Sequence, residues 1–160
     1  MSRNLLVALL VVAGSALAEE QARHEGYAPL EHLVGTWTIG GKEDSYRETC
    51  SWYHGKRHIV CETESKREDG SNSHSMSILS FVPGSGYVYT GIGSSGRYET
   101  YRGGTYNEGV LEYVDRTPAE ITRIRVGPFT SADEIPFAVH TSTDGAAWTL
   151  ADSFTYKKAK

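Results

Sequence analysis

The chain has 160 residues, 39% hydrophobic and 22% charged, with 17 glycines and five prolines, which is the size and composition of one globular domain and excludes disordered and collagen-like classes. Its formal net charge of -4, with basic residues scattered in ones and twos, gives no electrostatic footprint for nucleic acid. No stretch reaches the ~20 apolar residues of a membrane span.

Met1 to Ala18 reads as a secretory signal: Arg3 is the basic start, Leu5 to Val12 the short apolar core, and Ala16-Leu17-Ala18 an A-x-A cleavage site. Cleavage after Ala18 would leave an exported chain, periplasmic or secreted, starting at Glu19, with a flexible segment over 19–28 and the folded domain over 29–160. Pro29 then opens a helical turn with Leu30, Leu33 and Val34 at helical spacing, and Gly35 closes it.

From Trp37 onward no ten-residue stretch keeps a helical period, and two-residue alternation recurs between glycine-rich breaks. Strands are expected at Gly35 to Gly40, Ser45 to His54, Arg57 to Lys66, Ser73 to Val82, Gly86 to Ile92, Arg97 to Arg102, Val110 to Arg116, Ile121 to Val126, Ile135 to Thr141 and Ala147 to Lys157. About ten short strands with tight connections suit an all-β, antiparallel up-and-down barrel or a sandwich.

The hairpin around Gly55 can be registered residue by residue. A two-residue turn at Gly55-Lys56 places Cys50 opposite Cys61 and Trp52 opposite Ile59 on one face, with Tyr53, His58 and Val60 on the other. Two cysteines opposed in an exported chain are expected to form a disulfide, Cys50 to Cys61. Counting from that turn puts the pair at a hydrogen-bonded site, whose wider spacing suits a disulfide less well, so a longer turn is the alternative. In the last strand Trp148, Leu150, Asp152, Phe154 and Tyr156 alternate onto one face, leaving Asp152 as its sole charge. It would line a partly polar cavity or pair with Arg123 or Arg125.

Motifs for chemistry are weak. Gly91-Ile92-Gly93-Ser94-Ser95-Gly96 fits G-x-G-x-x-G, but a strand-like segment follows where a dinucleotide site needs a helix. His54 and His58 are four apart on a turn and a strand, where that spacing does not bring two ligands together. Glu62 and Glu64 share a strand face as surface charges, and no G-x-S-x-G nucleophile elbow occurs. No metal, cofactor or catalytic residue is expected. Ten tyrosines and three tryptophans remain, either as cross-strand packing or as the wall of a cavity with polar handles.

At Leu33-Val34-Gly35-Thr36-Trp37 a helical turn runs into a G-x-W strand, a start that resembles the calycin superfamily of lipocalins, fatty-acid-binding proteins and nitrobindin-like haem barrels. The chain is more closely similar to an uncharacterised family of exported bacterial calycin-like domains. It shares with them Leu30, Leu33, Gly35 and Trp37, the Gly55 to Val60 hairpin, the Phe81-Val82-Pro83-Gly84-Ser85-Gly86-Tyr87 turn and the closing Ser153-Phe154-Thr155-Tyr156-Lys157 strand. The resemblance implies a closed barrel and a basic residue, Lys157 or Lys158, stacked over Trp37. Haem is not implied, because the last histidine, His140, lies outside the closing strand. The expected function is binding of a small apolar or amphipathic ligand inside the barrel of a monomer or homodimer, with Trp37, Trp52, Tyr87, Tyr89, Arg123, Trp148, Asp152 and Tyr156 lining the cavity or packing its ends. The alternatives are a filled barrel acting as an envelope interaction module, or a cavity isomerase or hydrolase using Asp152 as base and Arg123 or Arg125 to fix an anion.

Overall fold

The computed structural model describes residues 25–160; the expected signal peptide and most of the flexible segment lie outside them. Ten strands follow one another around a closed antiparallel barrel: β1 (Gly35–Ile39), β2 (Tyr46–Trp52), β3 (His58–Lys66), β4 (Asn72–Val82), β5 (Gly86–Gly93), β6 (Tyr98–Asn107), β7 (Val110–Arg116), β8 (Ile121–Val126), β9 (Glu134–Ser142) and β10 (Thr149–Lys158). Each strand pairs with its sequence neighbours, and β1 closes the ring against β10 through Trp37↔Lys158 and Ile39↔Tyr156. Closure leaves no unpaired edge, and the geometry is compatible with a calycin-like fold.

A 3-10 helix, Ala28–Leu33, plugs one end, with Pro29 in its first turn and Leu30 and Leu33 buried. The plug is pinned by polar contacts as well as by apolar area. The Trp37 indole donates to the Leu33 carbonyl at 2.8 Å, Tyr27 donates to Phe81 O at 3.1 Å, and Tyr87 donates to Gly26 O at 2.8 Å. Ordered docking thus begins before Pro29, inside the segment expected to be flexible, because Tyr27 also packs edge-on against Trp52 and Phe81. Lys158 stands over the Trp37 ring at 5.4 Å, the stacking that the resemblance implies.

Two bulges account for the main departures from the expected strands. Gly103-Gly104, just past the expected strand end at Arg102, lies inside β6: Tyr87 pairs with Gly104 but Tyr89 with Tyr101, so one extra residue is accommodated there, with Gly103 at φ 69°. In β10 the register shifts between Leu150, opposite His140, and Asp152, opposite Val139. His140 and Val139 are consecutive and face opposite ways, so the expected common face of Trp148, Leu150, Asp152, Phe154 and Tyr156 is broken at Ala151.

The β2–β3 register is as expected, Cys50↔Cys61 and Trp52↔Ile59, and the disulfide is formed. The connection is longer than a two-residue turn, a 3-10 turn over His54–Lys56 closed by Tyr53 N donating to His58 O at 2.8 Å. Moving the first hydrogen-bonded pair out by one residue makes Cys50 and Cys61 a non-hydrogen-bonded pair, and their Cα separation of 4.0 Å fits the narrow spacing of that class.

Candidate functional site

Alternation along β2 turns Tyr46, Glu48, Cys50 and Trp52 inward, and the same rule turns Tyr89 of β5, Glu99 and Tyr101 of β6, Tyr113 of β7 and Tyr156 of β10 into the barrel. Together they surround an inner chamber of about 170 Å³, so the interior is not completely filled by side chains. Its deep wall is apolar: Leu33 from the plug, Trp37, Leu79, the Cys50–Cys61 disulfide, Ile135 and Phe137. Away from the plug it meets a polar vestibule of about 420 Å³. Glu48, Ser77, Tyr89, Glu99 and Tyr156 line both spaces and form the neck between them.

The chemistry of the neck centres on Glu48. Tyr46 Oη donates to Glu48 Oε2 at 3.0 Å, and the hydroxyls of Tyr156 and Thr63 also interact with the carboxylate. Burial raises the Glu48 pKa above the ordinary glutamate value, and the three hydroxyls only partly offset that desolvation. Desolvation likewise drives Tyr46 and Tyr156 upward, with the adjacent Glu48 charge adding to it. Tyr89 is pushed up to about 12, first by burial and then by the Glu99 and Glu48 charges. These phenols are neutral hydrogen-bond groups at any physiological pH.

A raised carboxyl pKa has a stability consequence with a definite sign. Below the ordinary glutamate pKa, Glu48 is protonated both folded and unfolded; as pH rises, the unfolded chain gains by ionising before the folded one does, so stability is lost as pH climbs through the folded pKa. Glu48→Gln, which cannot ionise, is therefore expected to have a higher thermal midpoint than wild type near neutral pH, the difference narrowing in acid. Midpoints that separate on acidification instead would contradict the desolvated state of Glu48.

The remaining expected residues divide clearly. Trp37, Tyr89 and Tyr156 line the chamber, whereas Trp52 and Tyr87 pack near the plug with Tyr27 and Phe81. Arg123 and Trp148 meet each other rather than the chamber: the guanidinium lies 4.1 Å from the indole centroid, and Arg123 pairs with His140, opposite in facing to the chamber-lining Ile124. Arg125 pairs with Glu112 at 3.4 Å. Asp152 is exposed and outside the chamber lining: it keeps the face of Phe154 and Tyr156, but lies beyond Phe154 along β10, past the end of the chamber, while the Ala151 bulge turns Leu150 off that face. An enzyme reading built on Asp152 with Arg123 or Arg125 thus loses its geometry. Sequence reasoning missed Glu48 and Glu99; for Glu48 the signal was present, two residues before Cys50 on the face already registered by the hairpin.

Among the described residues, the grouping of potential metal ligands is Glu48, Cys50 and Cys61, within 4.8 Å of one another. Both sulfurs are consumed by the disulfide, so the group offers a single carboxylate and does not fit a metal site. Gly91 and Gly93 of the G-x-G-x-x-G sequence lie in β5, with no helix after them. His58 is exposed and shares a 2.7 Å hydrogen bond with Ser80, while His54 sits in the turn.

No protein-family model matches this chain, and no curated protein matches it.

Proposed function

We propose that this protein is an exported barrel that binds a small, partly apolar molecule in its interior without covalent chemistry. The observation that carries the reading is the chamber itself: apolar deep in the barrel, opening at one end through a neck of hydroxyls and carboxylates. Concave, largely apolar sites with a few convergent polar groups are the usual form of small-molecule sites, and the chamber and vestibule together offer that combination. Tyr113 adds to it, since its hydroxyl is buried at the chamber wall without a partner. Export is supported by the Arg3, Leu5 to Val12 and Ala16-Leu17-Ala18 pattern and by the disulfide, which persists in oxidising compartments. The motifs shared with exported bacterial calycin-like domains point to the same compartment, with residues 1–18 as the signal and the barrel as the single mature domain.

Native mass spectrometry of the protein purified from its own host tests this. The expected spectrum has a co-purified small molecule on a chain that begins at Glu19. A clean mass of the empty chain, unchanged after incubation with host extract, would overturn interior binding; a chain that retains residues 1–18 would overturn cleavage.

A further inference from the structure

The charged groups of the chamber have one sign. Among the described residues its lining includes Glu48 and Glu99 but no lysine, arginine or histidine. Glu48 is hydrogen-bonded by the uncharged Tyr46 hydroxyl. Glu99 has the uncharged Tyr101 hydroxyl as a hydrogen-bond partner and Arg97 at 3.7 Å, but the Arg97 side chain is 81% exposed, so water screens that pair and leaves the Glu99 charge only weakly neutralised. Around the carboxylates stand the rings of Tyr89, Tyr101 and Tyr113, with centroids 5.8 to 6.4 Å apart. A pair of acidic groups alone would not identify a ligand. A separate observation does point to one: Tyr113 is only 3% exposed, lines the chamber, and its hydroxyl has no hydrogen-bond partner.

We infer that the ligand is a small organic cation, a primary or secondary amine on a body of about one aromatic ring, with its ammonium at the Glu48 and Glu99 neck and its ring in the chamber. This rests on the interior-binding function proposed above and names its ligand class. The size follows from the chamber, since an apolar cavity of about 150 Å³ accepts benzene and this one measures about 170 Å³. The charge follows from complementarity: an ammonium supplies the donors that carboxylates accept, and the surrounding tyrosine faces attract a cation. An anion would meet two carboxylates at the neck before reaching the apolar wall, and the basic groups near its path, Arg67 and Arg97, belong to the vestibule.

The pH dependence has a defined direction. The groups facing the neck are Tyr46 from β2, Thr63 from β3, Tyr89 from β5, Glu99 and Tyr101 from β6 and Tyr156 from β10, with Arg67 and Arg97 beyond in the vestibule. A bound ammonium favours the ionised form of Glu48, which burial disfavours in the free protein. Amine binding therefore releases a proton, and affinity rises with pH across the range in which free Glu48 titrates.

Calorimetric titration of the mature, disulfide-bonded chain with phenethylamine, phenethyl alcohol and hydrocinnamate tests the inference, because the three share a ring and differ in charge. Near neutral pH the amine is expected to bind roughly 10- to 100-fold more tightly than the alcohol, the increment of a charge-assisted hydrogen bond, and hydrocinnamate more weakly than either. Glu48→Gln should lower amine affinity much more than alcohol affinity, bringing the two close together. Glu99→Gln should lower amine affinity in the same direction. Alcohol or hydrocinnamate binding as tightly as the amine would overturn the cation and leave interior binding standing. Failure of all three to bind would overturn the ring-sized cation, and the co-purified molecule in the native mass spectrum would then decide interior binding separately.

Discussion

Alanine at Gly86 is expected to destabilise the barrel by roughly 2 to 5 kcal/mol, one of the largest effects of any single methyl group in the chain. Gly86 has φ 81°, a left-handed conformation that an L side chain enters at a cost of about 1 to 2 kcal/mol. A Cβ there would also run into the backbone carbonyl of Gly104, which cannot swing away as a side chain could. Gly104 is fixed by the β6 bulge, and its own Cα faces the Tyr113 ring and the Tyr87 Cβ. Relief of the Gly86 contact would therefore displace β6 at the point where Gly104 packs on the Tyr113 ring. Gly84 supplies the control: it has φ 76° in the same turn, but a Cβ would meet nothing within 4 Å. Gly84→Ala should cost only the backbone component, about 1 to 2 kcal/mol, in urea unfolding. Equal losses at the two glycines would show that the Gly86 to Gly104 approach is not a tight one.

Replacing both Cys50 and Cys61 with alanine is expected to cost about 2 to 5 kcal/mol and to lower the thermal midpoint by roughly 10 °C. The bridge spans a sequence separation of 11, so loop closure in the unfolded chain places the effect toward the lower part of that range. Loss of wall atoms adds to it, because both residues are buried against the chamber. Chemical reduction of the wild type should give most of the same shift, and the two treatments should not add. A midpoint indifferent to reduction would mean that the hairpin register alone holds β2 on β3.

The strand plan was legible because alternation and turn chemistry agree along most of the chain. Val110 to Arg116 and Ile121 to Val126 fall where their patterns place them, and the cysteine pairing follows from the Gly55 hairpin. The bulges were harder. Leu150-Ala151-Asp152 reads as ordinary alternation, and nothing local reports that β9 offers one partner fewer there, so alternation puts Leu150 on the face of Phe154 and Tyr156, whereas the bulge turns it off that face and only Asp152 stays. Gly103-Gly104 did carry a signal, but two adjacent glycines serve a break and a bulge equally well.

The site was legible in part for a related reason. Trp37, Tyr89 and Tyr156 are large aromatic residues on regular strand segments, where the period of two predicts the inward face. Glu48 obeys the same period two residues before Cys50, yet a carboxylate on a core face contradicts the usual rule that buried positions are apolar, and only the hydroxyls of Tyr46, Thr63 and Tyr156 make it tolerable. Those partners come from β2, β3 and β10, brought together by closure of the ring rather than by proximity in sequence.

Occupation of the interior is the central claim, and blocking the neck tests it most directly. A Cβ on Gly91 would lie 2.9 Å from the Tyr89 hydroxyl and 3.1 Å from Glu99 Oε1, both at the ends of side chains that can shift, so Gly91→Leu would put its bulk into the neck. Ser77, its partner on β4, offers a second position from which Ser77→Leu would do the same. Native mass spectrometry of wild type and both variants from the host, with circular dichroism confirming the β fold of each, gives the reading. Adduct on the wild type and its loss from a folded blocked variant is the predicted result; an adduct retained undiminished by both would place the bound molecule outside the barrel.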